Sequence, residues 1–394
     1  MSFFAPPPPP ATPLALHRAL SPTAAVKVSP ICLGGISLGD KWSSIFGRND
    51  DAFALLDAFV ALGGNFIDTA NTYNAEESER LIGDWMHERG CRDMMVIATK
   101  YGAGYKAYDR ERWPLQSNFT GCSAKSLHVS VKESLKKLRT DYIDVLYVHW
   151  WDFATGVEEV MTALHALVMA RQVLYLGVSD TPAWVVVKAN SYARAHGLTP
   201  FSVYQGRWNA AFRDMEAEIV PMCADQGMGL VPWGTLGGGQ LLSAAQRAER
   251  AADPEARQSG GGPENPNDKA VSEALEEIAA QKGVGLQAVA LAYLFAQSPH
   301  VTPIAGVQTV EHVNALPDAL RISLSRADVA KIHAAARFDP LFPMSFLLNY
   351  RGDKEFHLGL GTADVQQYQM AAWISGAKDL AGRDLPVGGG EGGR

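Results

Sequence analysis

The sequence predicts an α/β protein built as a (β/α)8 TIM barrel with extended βα loops and a C-terminal extension. Three observations point there. Eight short apolar runs alternate with stretches of helical spacing, as expected for parallel strands joined by crossover helices. Polar and titratable residues fall at the ends of those runs, where barrel enzymes assemble their chemistry. A length of 394 residues suits one such barrel with insertions and tails.

The elements follow in order. Residues 1–25, with the run PPPPP, read as a solvated, extended and disordered leader. The barrel is placed at 26–340, its strands at ICLGG (31–35), NFID (65–68), MVIATK (95–100), IDVLYVH (143–149), VLYLGVS (173–179), SVYQ (202–205), MGLVPW (228–233) and VTPIAG (301–306). Between strands the spacing turns helical: Leu127, Val131, Leu135 and Leu138 share one face, with Lys and Glu opposite. Three segments interrupt the pattern. The loop from Tyr101 to Gly121 is long enough to be a lid or binding loop. Residues 237–267 carry GGG, an alanine-rich charged helix and GGGPENPN, and a C-terminal extension at 341–394 ends in the glycine-rich GGGEGGR, expected to be disordered.

An open doubly wound sheet is the competing architecture. It would carry an early G-x-G-x-x-G fingerprint and gather its ligand groups at one switch point. No such fingerprint follows the first run, and Asp68, Lys100, His149, Ser179, Gln205 and Trp233 are spread over the ends of different strands. The barrel therefore accounts for the sequence better.

Bulk properties exclude several function classes. A net charge of −7 lacks the basic footprint of a nucleic-acid binder. Cys32, Cys91, Cys122 and Cys223 form no C-x-x-C pair, which fits reduced thiols and a cytoplasmic location. The ten histidines show no zinc-type spacing, so no metal is expected. The N-terminus lacks the pattern of a secretory signal, no apolar run reaches the roughly 20 residues of a membrane span, and no membrane partner is expected.

The chemistry rests on Asp68, Tyr73, Lys100 and His149. A free phenol titrates near 10, so Tyr73 holds its proton at neutral pH and releases it more easily beside a cation. Lys100 would supply that cation and lower the phenol's pKa, with Asp68 anchoring the ammonium. A neutral His149 beside the phenol would orient a substrate carbonyl by hydrogen bonding. Singly, each has an ordinary explanation: a turn or cap aspartate, a half-buried tyrosine, a solvated lysine, a core histidine. Three of them directly end apolar runs and Tyr73 follows Asp68 by five positions, so the combination carries the assignment.

With these residues in view, the chain resembles an aldo-keto reductase. The stretches LGGISLGDKW, GGNFIDTANTYN, SERLIGDW, LGVSDTPAW, YQGRWN and PWGTLGGG match that superfamily in order from Val26 to Asp339. SDTPAW, YQGRWN and the insert ending GGPENPNDK most resemble its fungal aryl-alcohol dehydrogenase branch, which includes norsolorinic-acid-reductase-like members. The resemblance implies a nicotinamide cofactor held without a Rossmann unit, with Ser179, Asp180 and Gln205 at the carboxamide and Trp233 against the ring. It also implies cofactor contacts from Gly35, Ile36, Asp68, Gly234, Leu236, Gly237, Gly306, Gln308 and His312, with Gly237, Gly238 and Gly239 offering backbone N–H groups to the pyrophosphate. This chain departs from its relatives at Asp180, where many have Asn, and at Ala315 and Leu316, where a Glu-Asn pair is usual. Residues 303–316 offer no Arg or Lys for a 2′-phosphate. NADP(H) is favoured by resemblance and NAD(H) stays open.

Trp42, Tyr101, Trp150, Trp151 and Trp208 form the expected aromatic substrate wall, suited to aryl aldehydes or ketones. The expected activity is therefore their reversible, nicotinamide-dependent reduction to alcohols. Two alternatives stand beside it: a reductase of a polyketide or quinone carbonyl in fungal secondary metabolism, and a nicotinamide-binding regulatory subunit resembling the potassium-channel β subunits. The oligomeric state is not legible.

Overall fold

The computed structural model describes residues 8–47, 49–252, 265–336 and 338–347. The expected disordered end lies outside them, as does most of the C-terminal extension. Among the described residues there are ten strands: β1 (Arg18–Ser21), β2 (Ala24–Val28), β3 (Cys32–Gly34), β4 (Phe66–Asp68), β5 (Val96–Tyr101), β6 (Ile143–Val148), β7 (Val173–Ser179), β8 (Val203–Gln205), β9 (Gly229–Leu230) and β10 (Ile304–Gly306). Strands β3 to β10 form one parallel sheet in the order β10-β3-β4-β5-β6-β7-β8-β9. A parallel bridge between Leu230 and Val301 joins the two ends. The eight expected strand positions thus form a closed (β/α)8 barrel.

Side-chain alternation sorts each strand into two faces. Cys32, Phe66, Val96, Ala98, Val145, Tyr147, Val203, Val231 and Ile304 pack together inside the barrel. The opposite faces, for example Leu33, Ile67, Ile97, Leu146 and Val178, meet the surrounding helices in a larger cluster. The helix Ala124–Lys137 shows how that layer is built: Ser123 caps its start through the Ser126 N–H, and Leu127 and Val131 point inward. Gly83, in the helix Glu77–Arg89, lets that helix approach its neighbour, since a Cβ there would lie 2.2 Å from the Lys137 carbonyl oxygen.

The N-terminal segment differs from expectation. Residues 18–28, most of them assigned to a disordered leader, form the antiparallel hairpin β1–β2. Its Leu20, Ala24 and Val28 join the barrel's interior cluster. The Thr23 hydroxyl donates to the Gly227 carbonyl, and a Cβ on Gly229 would lie 2.4 Å from the Leu20 carbonyl oxygen. Both contacts are at the start of β9, so the hairpin closes the amino end of the barrel and leaves the carboxyl end for the site.

Candidate active site

The inward parity that fills the barrel also sets its mouth. Phe66 and Asp68 face inward on β4, Ala98 and Lys100 on β5, and Tyr147 leads to His149 after β6. Register aligns Asp68 with Ala98 and Lys100 with Tyr147. The side chains of Asp68 and Lys100 therefore emerge side by side on top of the interior core.

Lys100 is the centre of the arrangement. Its Nζ donates to Asp68 Oδ1 at 2.5 Å, to the Thr69 carbonyl at 2.8 Å and to the Tyr73 hydroxyl at 3.2 Å. Gln205 Nε2 donates to the other Asp68 oxygen at 2.8 Å. All three ammonium donors and both carboxylate oxygens are thereby engaged, which is what a buried ion pair needs to persist. The Tyr73 ring lies edge-on to both His149 and Trp42, with centroids 5.9 Å and 6.2 Å away. The four predicted catalytic residues are together.

Electrostatics revise one detail. Burial pushes the Tyr73 phenol up and outweighs the lowering influence of Lys100, so its pKa lies above the ordinary phenol value rather than below it. The phenol accordingly stays protonated across neutral pH. Burial alone would depress Lys100, but attraction to Asp68 and Tyr73 prevails and keeps the ammonium charged. For His149, burial and then the Lys100 charge lower the pKa well below the usual imidazole range, giving a neutral ring. Its Nδ1 is sealed in and has no hydrogen-bond partner among the described residues, leaving Nε2 to meet a ligand.

The groups expected at a nicotinamide gather on the other side of the mouth. Ser179 pairs in register with Gln205, and the Asp180 N–H donates to the Gln205 carbonyl. Asp180 takes a left-handed conformation (φ 42°) and accepts from the Ser179 hydroxyl at 3.0 Å and from Trp233 Nε1 at 3.0 Å. Desolvation in the bowl raises its carboxyl pKa although the residue is exposed. With Gln205 Nε2 spent on Asp68, its amide oxygen and the Asp180 carboxylate are acceptors open to a carboxamide NH2, a set that fits a nicotinamide.

The remaining cofactor candidates are more dispersed. Gly35 lies against Asp68, where a Cβ would come within 2.7 Å of the Asp68 carbonyl oxygen, and the Ile36 carbonyl accepts from Asn74. Gly234, Gly237, Gly238 and Gly239 all have positive φ, in a tight turn after Trp233 that includes the half-buried Leu236. Two of the N–H groups expected at a pyrophosphate, those of Gly237 and Gly239, donate within this turn, to the Gly234 and Leu236 carbonyls, leaving the Gly238 N–H. Gly306 ends β10 and is exposed. The Gln308 amide donates to the Phe46 carbonyl at 2.6 Å, and His312 Nδ1 lies 3.4 Å from the Gln308 backbone nitrogen on an exposed turn. The Asp50 carboxylate accepts the Val310 N–H at 2.8 Å beside them.

The aromatic wall divides. Trp42 touches Tyr73, and the exposed Trp150 lies 4.6 Å from His149, centroid to centroid, so both frame the catalytic pair. Tyr101, Trp151 and Trp208 belong instead to the layer between barrel and helices. Alternation explains the first: Tyr101 follows the inward-facing Lys100, so it faces outward, its hydroxyl 3.5 Å from the Cys122 carbonyl. Trp208 is fully buried and donates to Glu216. Counting faces as well as strand ends would have set Tyr101 apart.

Sequence reasoning missed the supporting residues. Asn74 accepts from the Trp42 N–H and donates to Ile36, tying two strand-end loops together. Glu76, Glu79, Lys106 and Lys137 form a buried charge cluster behind Tyr73. Each is an ordinary charged residue in sequence; only their convergence marks them.

Residues 30–337 match the aldo/keto reductase family model. The chain belongs to the aldo/keto reductase family. It is 50% identical over 342 residues to norsolorinic acid reductase A of Aspergillus parasiticus, covering 86% of each chain. It is 50% identical over 333 residues to norsolorinic acid reductase B of Dothistroma septosporum, 84% of each. With the aryl-alcohol dehydrogenase [NADP(+)] of Phanerodontia chrysosporium it shares 48% over 352 residues, 87% of this chain and 91% of that one. The chain is thus an oxidoreductase, with a tetrad geometry suited to protonating a reduced carbonyl oxygen.

Proposed function

We propose that this reductase uses NADP(H) to reduce aryl aldehydes or ketones reversibly to alcohols, with Tyr73 as the general acid. The observation that carries it is the Lys100 ammonium bridging Asp68 and the Tyr73 hydroxyl at the barrel mouth, beside a neutral imidazole. A bound reduced nicotinamide supplies the hydride; Ser179, Asp180, Gln205 and Trp233 would hold it. Nε2 of His149 orients the carbonyl oxygen toward Tyr73. As negative charge develops on that oxygen, the phenol delivers its proton, and Lys100 stabilises the phenolate left behind. Asp68 keeps Lys100 charged and in place. In the alcohol-oxidising direction the phenolate takes the proton back.

Trp42 and Trp150, flanking Tyr73 and His149, favour a flat aromatic substrate. A larger polycyclic ketone of polyketide origin is the second reading, favoured by identity to two norsolorinic acid reductases. The coenzyme assignment draws on the name of the Phanerodontia relative, while Asp50 at the start of the helix Val310–Ala315 argues locally against an added phosphate. The test is an absorbance assay at the reduced-nicotinamide band with NADPH and NADH against benzaldehyde-type aldehydes and hydroxyanthraquinone ketones. Preferential oxidation of NADPH by the aldehydes supports the proposal. Absence of turnover with every carbonyl compound would refute it in favour of a non-catalytic role.

A further inference from the structure

Directly after Tyr73 the backbone passes through three successive left-handed residues, none of them glycine: Asn74 (φ 49°), Ala75 (φ 51°) and Glu76 (φ 75°). Such conformations persist only where the surroundings over-determine them. Here the surroundings converge on one carboxylate. Glu76 has no exposed surface. Its Oε1 accepts from Lys106 Nζ at 2.6 Å and from the Tyr108 hydroxyl at 2.8 Å, while its Oε2 lies 3.0 Å from Lys137 Nζ in an ion pair. Lys137 Nζ also lies 2.6 Å from Glu79 Oε2 and donates to the Asn71 carbonyl at 3.4 Å, and Thr99 donates to Glu79 Oε1 at 2.6 Å. Two lysines balance two glutamates, so the cluster can be buried without stranding a charge.

The chain positions of these partners give the cluster its meaning. Asn71 and Glu76 bracket Tyr73, and Lys137 reaches both. Lys106 and Tyr108 come from the loop between Tyr101 and Gly121, the segment whose length suggests a lid. Asn74, in the same turn, holds the Trp42 N–H and so places an aromatic that touches Tyr73. We propose that Glu76 is a positioning residue that couples docking of the 102–121 loop to the placement of the Tyr73 phenol. Lys137 grips the turn side of its carboxylate, and Lys106 with Tyr108 grips the loop side. If the loop half is lost, Glu76 keeps one of its three donors in a buried site and is drawn toward Lys137, releasing the strained turn. The inference rests on Tyr73 being the proton donor.

The test uses the full chain and four variants: Tyr108→Phe, Lys106→Met, Lys106→Arg and the charge-balanced pair Lys137→Met with Glu79→Gln. Hydrogen exchange is followed at residues 71–78 and 102–121, together with kcat and KM for an aryl aldehyde and nucleotide binding by protein fluorescence. Lys106→Met is expected to speed exchange in both segments, raise aldehyde KM about tenfold and lower kcat several-fold, with nucleotide affinity unchanged. Tyr108→Phe should do the same more weakly, and Lys106→Arg should restore near wild-type values. The double variant should loosen 71–78 most and act mainly on kcat. Faster exchange confined to the loop, with 71–78 and kcat as in the wild type, would overturn the coupling. So would a lower Tm with unchanged KM and kcat per folded molecule. The exchange readout stands whether or not aldehydes are turned over, so failure of the proposed activity and failure of the coupling are distinguishable.

Discussion

The two halves of the barrel mouth differ in how they hold their polar groups. From β3 to β6, the ionic groups of Asp68, Lys100, Glu76, Glu79 and Lys137 are buried and ion-paired with one another. From β7 to β10, Asp180 and His312 are exposed, Trp233 and Gln308 are half-buried, and they bond to one another, to the adjacent Ser179 or to backbone. The first half is a proton-transfer device finished before any ligand arrives. The second is a cradle that gains its remaining partners from what binds. Damage to the first half should therefore appear in kcat, and damage to the second in nucleotide affinity.

That contrast breaks most visibly at Lys100. Lys100→Met leaves Asp68 buried with Gln205 alone and the phenolate without a counter-charge. Reductive kcat should fall by about 10²–10⁴, with stability lowered by about 3–5 kcal/mol; steady-state kinetics and a denaturant titration read the two losses separately. Trp233→Ala comes next. Nucleotide Kd, read by fluorescence titration, should rise by about tenfold, the scale of one good aromatic contact, while kcat at saturating nucleotide changes little. A larger effect on kcat than on Kd would blur the division between the halves. Gly35→Ala places a Cβ 2.7 Å from the Asp68 carbonyl oxygen, so the seam between β3 and β4 must shift, at a cost of about 1–3 kcal/mol. Its Tm should fall, with a modest loss of activity from the displaced Asp68. Asp180→Asn is the mildest: an amide oxygen still accepts from Trp233, and nucleotide affinity should change less than about threefold, within the net worth of one hydrogen bond.

The pH profile sharpens the same comparison. Reduction needs a protonated phenol, and the Tyr73 pKa lies above its ordinary value, so activity should hold through neutral pH and fall only above about pH 10. His149 is pushed well below the imidazole range, so no loss should appear as pH falls through about 6.5. A bend there in kcat/KM would mean that His149 is charged in the working enzyme.

Much of this was written in the chain. The eight barrel strands were legible because each is a short apolar run, five of them ending in a polar residue, and the tetrad because three of its members sit at such ends. The aromatic wall was only half legible, since Tyr101 and Trp208 lie near strand ends but on the outward face, and alternation decides which way a ring points. The hairpin Arg18–Val28 was hidden beside the proline run; its strands are short and gain their stability from contact with the start of β9. Glu76, Lys106 and Lys137 were invisible for a different reason. Charged residues far apart in sequence carry no sign that the fold will bury them together.

The central claim is that the Tyr73 hydroxyl delivers the proton. A single-turnover experiment tests it: Tyr73→Phe and wild-type protein are loaded with reduced nucleotide, mixed with an aryl aldehyde, and followed at the nicotinamide absorbance. The account predicts rapid loss of absorbance in the wild type and a loss slower by about 10²–10⁴ in the variant, with equal nucleotide binding beforehand. Oxidation of the nucleotide by Tyr73→Phe at the wild-type rate would contradict it.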